Sequence, residues 1–319
     1  MVELGSKFKR LFVSKQWLFL LLVMVLISAY TGVVNPRFLT IRNLTNVLSQ
    51  VSVLGLVACG ATILIIAGEI DISAGANIGL TACVTAILMR TGVPSFLAAM
   101  VGLLTSTTCS TLIGLGCIVF RAPSFIISLA AISVFKGIAL ASTTGTLQMI
   151  LGKMEYLGSG TIFGFIPIIF GITLLGYFVT HAILTYTKLG RHIYAIGDNP
   201  RASFLAGIKI AKNKVVFFAI NGVFIGFAAI LLLARVGAAQ PTTGAGLELQ
   251  AIGAAVIGGT PMTGGKGSVI GTFFGVLLWG LMNMLGVSPF WQEATMGSLI
   301  IVAVAITSLR SLAEKSIAV

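Results

Sequence analysis

Long apolar stretches separated by short polar ones occupy almost the whole 319-residue chain. A helix of about 20 mostly apolar residues can span a bilayer, because a helix satisfies its own backbone polar groups in lipid. The pattern predicts an all-α integral membrane protein with about ten transmembrane helices, some short or broken, in one domain covering residues 1–319. The predicted segments are residues 17–34, 44–67, 73–89, 94–119, 124–145, 162–184, 214–235, 248–259, 268–286 and 291–309, of which the eighth is too short to cross fully.

The composition agrees with a surface that faces lipid. Hydrophobic residues make up 57% of the chain and charged residues 9%, with a mean hydropathy of +1.08. A soluble domain carries about 25% charged residues. A soluble globular protein is therefore excluded.

The net charge of +12 would suit a nucleic-acid-binding surface, but its distribution does not. The basic residues lie in short segments between the apolar ones, which is the pattern of membrane topology. If the N-terminus is cytoplasmic, 14 basic residues lie on the cytoplasmic side and five on the other. We expect a multi-pass membrane protein with both termini in the cytoplasm and no nucleic acid partner.

The N-terminal residues 1–16 are basic and precede an apolar segment, as they would in a signal peptide. The apolar run of residues 17–34 is long for a signal peptide, and no small-residue cleavage site follows it. We interpret residues 1–16 as a cytoplasmic N-terminus and the following run as a first spanning helix.

Two polar breaks interrupt the apolar pattern in a similar way, IAGEIDISAGANIG at residues 66–79 and IGGTPMTGGKGSVIG at residues 257–271. Their spacing of about 190 residues suggests an internal repeat of the kind found in transporters, although glycine-rich membrane chains also produce such matches by chance. Each break enters the next apolar run through a Gly-x-x-x-Gly step, where small residues let helices approach closely. The predicted packing positions are Gly75, Gly79, Gly267 and Gly271, and flexibility for gating is the alternative role.

No set of side chains suggests catalysis, so we expect no enzyme activity, no metal site and no cofactor held by this chain. Residues 260–267 resemble a phosphate-binding loop, which requires Gly-x4-Gly-Lys followed by Ser or Thr. Thr260 replaces the first glycine, and Gly267 replaces the hydroxyl residue that would bind Mg²⁺. We interpret this stretch as a flexible turn. The four cysteines lie in apolar runs and suggest neither disulfides nor a metal site.

Glu69 and Asp71 stand in the first break, between two apolar segments. Acidic groups near lipid are costly unless they reach water, a cavity or a partner, so they are candidates for a gating or loop contact. The alternative is that the loop reaches cytoplasmic water, where acids are tolerated.

The polar residues 185–214, TYTKLGRHIYAIGDNPRASFLAGIKIAKNK, are too polar to span and too apolar to be a free loop. Asp198 or Asn199 can cap a helix, and Pro200 suits its first turn. The sequence therefore predicts one short cytoplasmic helix of about two turns within this segment.

At helical spacing, Phe204, Leu205 and Ile208 lie on one face of this short helix. We expect that bulky apolar face to pack on the membrane body and the opposite face to enter a groove on a partner. A helix resting on the lipid headgroups is the alternative. The small residues of the opposite face are Ala202, Ser203, Ala206 and Gly207.

Three motifs, in order along the chain, carry a resemblance. GEIDISAG at residues 68–75 looks like G-G/E-I-D-L/V-S-V-G, and residues 190–208 resemble G-R-x-I/V-Y-A-I/V-G-G-N-x-x-A-A-x-x-S-G-I. Residues 249–271 resemble I-A-A-V-V-I/V-G-G-T-x-L-x-G-G-x-G-S/T-x-x-G-T. These motifs are similar to those of permease subunits of bacterial ABC importers for ribose, xylose, galactose and related substrates.

The resemblance implies a dimer of permeases, identical or not, with ATPase subunits inside and a substrate-binding protein outside. ATP and Mg²⁺ would belong to the ATPase, and residues 199–208 would form the coupling helix that carries its motion to the spans. The implied contacts to the ATPase are Asn199, Ala202, Ser203, Ala206 and Gly207. This chain departs from the family pattern at Asp198, Pro200, Arg201 and Ser203, which puts its charge match to a familiar ATPase in doubt.

A self-sufficient secondary transporter or channel for a small polar solute is the alternative function. Such proteins usually mark their pathway with ionisable residues inside the membrane. Among the long predicted spans, only Lys136 lies well inside its segment, and no acid lies near it in sequence, which favours the importer permease. The spans carry no visible specificity code, so a pentose, a hexose, a furanone signal and a nucleoside all remain possible substrates.

Overall fold

The computed structural model describes residues 16–34, 40–150, 152–285, 288, 291, 294–295, 297–298 and 301. Residues 1–15, which form nearly all of the predicted cytoplasmic N-terminus, and most of the tenth predicted segment, residues 291–309, lie outside the described residues.

Helices dominate the described part of the chain. They are α1 (Gln16–Val34), α2 (Ile41–Ile66), α3 (Ala74–Arg90), α4 (Ser95–Val119), α5 (Ser124–Thr143), α6 (Glu155–Ser159), α7 (Ile168–Tyr186), α8 (Lys188–Asp198), α9 (Pro200–Leu205), α10 (Ile210–Val236), α11 (Leu247–Ile257) and α12 (Val269–Met284). The strands have two residues each and form two antiparallel pairs, β1 (Gln148–Met149) with β4 (Ala238–Ala239) and β2 (Thr161–Ile162) with β3 (Ile166–Pro167).

The predicted all-α membrane fold is confirmed. Helices α2, α4, α5, α7 and α10 are long and apolar enough to cross a membrane. Helices α3, α11 and α12 are apolar but have only 17, 11 and 16 residues. At about 1.5 Å per residue, α11 covers about half of a 30 Å hydrocarbon core, as expected for the short eighth segment.

The sixth predicted segment begins too early. Its first residues form the β2–β3 hairpin, and α7 starts only at Ile168. Phe163 and Gly164 both have positive φ in the turn, and Pro167 stands directly before the helix. Proline lacks the backbone N–H that an earlier helical turn would need, so the helix can start but not continue backwards through this point.

Helix α2 forms the centre of the protein and is buried along nearly all of its length. It packs against α7, α10, α11 and α12, while α10 also runs along α4. In contrast, α4 and α5 expose large apolar side chains such as Phe96, Leu104 and Ile126. Those outer faces suit lipid or another apolar chain rather than water.

Candidate functional site: the coupling segment and the two helix breaks

The first break contains a buried carboxylate whose two oxygens both accept hydrogen bonds. Asp71 is 5% exposed. Its Oδ1 accepts from the Ser73 backbone N–H at 2.8 Å and from Ser73 Oγ at 2.6 Å, and its Oδ2 accepts from Asn221 Nδ2 on α10 at 2.9 Å. A buried carboxylate is tolerated when donors satisfy its oxygens. The break is therefore tied to the middle of a long spanning helix.

Two serines of α5 satisfy the backbone of the same break. Ser124 Oγ accepts from the Ile70 N–H at 3.1 Å, and Ser128 Oγ accepts from the Ile72 N–H at 3.3 Å. Irregular backbone within a membrane protein requires such partners, because lipid offers none. The residues before α3 are thereby fixed against α5.

Glu69 differs from Asp71 in its surroundings. Its carboxylate pairs with Lys214 Nζ at 2.7 Å, and both side chains are partly exposed, at 16% and 20%. Lys214 lies in the first turns of α10. The two acids that the sequence singles out thus have different partners: one faces a neutral amide inside the protein, and the other pairs with a cation near its edge.

Residues 185–214, the coupling segment that the resemblance implies, contain two helices, not the single one that the sequence predicts. The missed helix is α8, which begins at the cap formed by Thr187 Oγ1 accepting from the Gly190 N–H. The predicted helix is α9, where Asn199 Oδ1 accepts from the Ala202 N–H at 2.9 Å and Pro200 occupies the first turn. The last residues of the predicted segment already belong to α10, which begins at Ile210.

The prediction that the bulky face of α9 packs on the membrane body is wrong. Phe204 and Leu205 are 67% and 79% exposed, whereas Ser203 of the small face is buried. The helix ends at Leu205, and Gly207 follows with φ of +83°. Ile208 therefore lies outside the helix, where it packs against the core. Because it does not share a helical face with Phe204 and Leu205, its packing does not bring those two side chains toward the core. The other small residues, Ala202, Ala206 and Gly207, are exposed, as is Asn199.

The second break lies against both the first break and the coupling segment. The Gly265 N–H donates to the Ile66 carbonyl at 2.8 Å, at the end of α2. Gly264 packs on the backbone of Gly68 and Gly197, and its own φ is +81°. A side chain at Gly197 would meet the Ile66 carbonyl. Three segments thus meet at positions where only glycine leaves enough room.

Tyr194 of α8 adds a hydrogen bond to this junction, because its hydroxyl donates to the Gly267 carbonyl at 3.0 Å. Partial burial raises the pKa of the Tyr194 phenol, which keeps the hydroxyl protonated as a donor. On the other side of α8, Ile193 and Ile196 are buried in the core. A displacement of α8 would therefore act directly on the second break.

Each of the four predicted packing glycines lies close to another segment. A Cβ at Gly75 would meet the Glu248 carboxylate, and one at Gly79 would meet the Pro241 carbonyl. The other two glycines lie at the second break, where Gly267 faces Thr260 and Ile66, and Gly271 faces the Gly258 backbone. The residues before α11 therefore run closely along α3, and α12 closely approaches the end of α11.

Sequence reasoning missed Asn221 and the serines of α5. Asn221 is buried, at 2% exposure, in the middle of α10. A single polar amide within a long apolar run was the signal in the sequence that could have identified it. A side chain at Gly60 of α2 would meet the Asn221 side chain, so the small residue makes room for the amide. Hydroxyl groups in spanning helices commonly bond their own helix, so nothing in the sequence distinguished Ser124 and Ser128 from other serines.

The described residues contain no group of three His, Cys, Asp or Glu side chains that could hold a metal ion. The two acids of the first break are engaged in hydrogen bonds and in one ion pair, whereas Thr260 Oγ1 of the second break is buried without a hydrogen-bond partner among the described residues. The arrangement of the two breaks suits mechanical coupling, because the coupling segment touches both breaks and each break leads into a short helix.

The chain matches a family model described as "Branched-chain amino acid transport system / permease component" over residues 43–309. This chain belongs to that permease family. It is 35% identical to the ribose import permease protein RbsC of Bacillus subtilis (strain 168), over 92% of this chain and 91% of the relative.

Two further relatives extend the comparison. The D-allose transport system permease protein AlsC of Escherichia coli (strain K12) is 36% identical over 91% of this chain and 90% of its own. The galactose/methyl galactoside import permease protein MglC of Salmonella typhimurium is 30% identical over 88% and 90%. No solved structure gives a significant match to the chain.

Proposed function

We propose that this permease is the membrane-spanning subunit of an ATP-driven importer and forms the path for a sugar or a sugar-like solute. The observation that carries the proposal is the similarity, over about nine-tenths of the chain, to permeases named for ribose, allose and galactose. These relatives give no support to a self-sufficient secondary transporter.

ATP hydrolysis belongs, in this proposal, to a separate ATPase subunit that also holds ATP and Mg²⁺. The surface for that partner is the exposed side of α9, where Phe204 and Leu205 project outward. Phe204 also borders a cavity of about 480 Å³ together with Arg121, Lys209 and Lys214. An ATPase groove with apolar and acidic side chains would complement this surface.

The structure supports a route for the motion. A push on α9 moves α8, since the two helices share Asn199 as the end of one and the cap of the other. Helix α8 contacts the second break through Tyr194 and the first through Gly197. Each break is followed by a short helix, so displacement of the junction would tilt α3 and α12 relative to the central α2.

The remaining parts of the assembly follow from the same proposal. A second permease chain, identical or not, completes the path, and an extracytoplasmic binding protein selects and delivers the solute. The excess of basic residues in the segments assigned to the cytoplasm supports cytoplasmic termini in the bacterial inner membrane.

The test is reconstitution of the permease with its ATPase and binding protein in proteoliposomes. Labelled D-ribose, D-allose, D-xylose and D-galactose are offered separately, with ATP inside or outside the vesicles. We expect accumulation of one of them that needs both ATP on the cytoplasmic side and the binding protein. Accumulation by the permease alone, driven by an ion gradient, would establish the secondary transporter instead.

A further inference from the structure

A small cavity opens between α3, α5 and the start of α11, away from the coupling segment. It has a volume of about 110 Å³. Two charged side chains, Lys136 and Glu248, line it. The other lining residues are Ile72, Gly75, Ala76, Ile132, Pro241, Thr242 and Ala245.

Glu248 has one carboxylate oxygen without a partner. Its Oε1 accepts from the Gly246 N–H at 3.2 Å. Its Oε2 is buried, and no hydrogen-bond donor reaches it within the described part of the chain. A buried acceptor left unsatisfied is costly, and more so when it is charged. Since this carboxylate lines a cavity, a donor on a molecule inside the cavity can satisfy it.

Lys136 brings a hydrogen-bond donor to the cavity, whereas the Glu248 carboxylate is an acceptor. It lies 12 residues after the start of α5, which places it about 18 Å along the helix and near the middle of a spanning segment. Its side chain is exposed in the single chain. Ionisable groups at such a depth almost always face a water-filled cavity or the interior of an assembly. The Lys136 side chain therefore reaches the aqueous path rather than lipid.

We propose that this cavity is a transient contact site for the transported sugar, where Glu248 Oε2 accepts from one hydroxyl and Lys136 Nζ donates to another. Sugars carry adjacent hydroxyl groups that donate and accept at once, so a carboxylate and an ammonium fit the same molecule. The inference rests on the proposed function, because it names how the solute is held on its way through.

The small volume of the cavity indicates a partial contact with the sugar rather than a pocket that encloses it. Pockets that enclose a small ligand have volumes of about 300 Å³ or more. A cavity of about 110 Å³ accommodates only one edge of a sugar ring, and the rest of the ring stays in the path. Such a contact guides a solute and releases it, while selection remains with the binding protein.

Uptake by the reconstituted importer tests the site with the sugar identified in the experiment above. The variants are Glu248→Leu, Glu248→Gln and Lys136→Met, with Leu249→Ala as a matched control on the same helix outside the cavity. Loss of a hydrogen bond to a charged group predicts a fall in uptake of about tenfold or more for Glu248→Leu. Glu248→Gln keeps an acceptor oxygen and should lose less, and Leu249→Ala should match the wild type.

Monodeoxy forms of that sugar distinguish a sugar contact from a structural role, each at a concentration that saturates the binding protein. For the form lacking the hydroxyl that Glu248 accepts from, wild type and Glu248→Leu should transport at the same rate. If Glu248→Leu lowers uptake of the parent sugar and of every deoxy form by the same factor, Glu248 only stabilises the fold and the proposal is wrong.

Cysteine labelling examines the cavity even if no tested sugar is carried, so the two proposals can fail separately. Lys136→Cys and Glu248→Cys are made in a background where Cys59, Cys83, Cys109 and Cys117 are alanine. A small hydrophilic thiol reagent should label both in the assembled importer. It should not label the control Val134→Cys, an exposed residue of α5 outside the cavity. Absence of labelling at both cavity positions would remove the site from the aqueous path and overturn the proposal.

Discussion

Asn221 Nδ2 donates a 2.9 Å hydrogen bond to Asp71 Oδ2, across 150 positions of sequence. The carboxylate is buried in the first break and the amide in the middle of α10, so this contact joins a broken segment to a long spanning helix. Inside a membrane protein such a pair fixes the position of the break, because neither group finds water as a substitute.

Exchange of the two groups tests this relationship. In Asp71→Asn, the new side-chain N–H₂ is a donor, and it must face another donor: either the amide of Asn221 or the N–H and hydroxyl of Ser73. One buried group is then unsatisfied, which costs about 1–3 kcal/mol. We expect a lower melting temperature in detergent and reduced uptake. The double variant Asp71→Asn/Asn221→Asp restores one acceptor facing one donor and should recover much of the melting temperature.

The double variant is also the control. If it is no more stable than Asp71→Asn alone, the two side chains do not act as a pair. If Asp71→Asn itself keeps full stability and full uptake, the carboxylate is not a structural tie.

Glu69 should behave differently from Asp71. Its ion pair with Lys214 is partly exposed, and such pairs contribute about 1 kcal/mol or less. Glu69→Gln should therefore lower the melting temperature only slightly, and the effect should shrink further in high salt because salt screens exposed charges. A loss as large as that of Asp71→Asn would indicate that the pair is shielded from water by a partner subunit.

The contrast between these two acids marks a limit of sequence reasoning. The pattern of apolar and polar residues identified both breaks. Nine of the ten predicted segments coincide with helices, and most of the tenth lies outside the described residues. It could not assign partners to Glu69 and Asp71, because Lys214 and Asn221 come from α10, far away in sequence. Contacts between residues far apart in sequence depend on which helices pack together. The apolar composition of spanning helices does not reveal those neighbours.

The coupling segment shows the same limit on a smaller scale. Asn199 and Pro200 indicated where α9 starts, since capping is a local interaction. The direction of its faces was predicted wrongly because the assignment assumed that the helix continued through Ile208. The turn at Gly207 ends it earlier, and where a six-residue helix points is then decided by its neighbours.

Close packing at the second break gives a third prediction. A Cβ at Gly271 would meet the backbone of Gly258, which cannot move aside as a flexible side chain could. Gly271→Leu should reduce the protein level in the membrane, since overpacking costs about 1–3 kcal/mol or more. Gly137→Leu is the matched control, because Gly137 of α5 has open space around its Cβ position. Equal protein levels for both variants would contradict the packing role.

Topology gives a fourth prediction. Arg201 of α9 and Phe163 of the β2–β3 hairpin are both exposed and belong, in the proposed orientation, to opposite sides of the membrane. In intact cells an impermeant thiol reagent should label Phe163→Cys and should label Arg201→Cys only after permeabilisation. Reversed labelling would place α9 outside, where no ATPase could reach it.

The last prediction concerns the contact between α9 and the ATPase. Gly207→Trp is a poor probe, because φ of +83° strains any side chain by about 1–2 kcal/mol before a partner is considered. Substitutions of Phe204 and Leu205 are better probes, since both side chains are mostly exposed and contribute little to the packing of the protein. Truncation of a hot-spot side chain near the centre of an interface costs about 2 kcal/mol or more of binding free energy, and we expect these two residues to form such a hot spot.

The double variant Phe204→Ala/Leu205→Ala should therefore reach the membrane at a normal level, with a normal melting temperature, and capture about thirtyfold less ATPase in detergent. Phe163 is an even more exposed aromatic residue on the opposite side of the membrane in the proposed orientation, and Phe163→Ala should capture as much ATPase as the wild type. Phe163→Ala removes one exposed aromatic ring, so it shows what such a loss does at a position away from α9. Undiminished capture and uptake in the double variant would mean that α9 rests on the lipid headgroups and that the ATPase binds elsewhere.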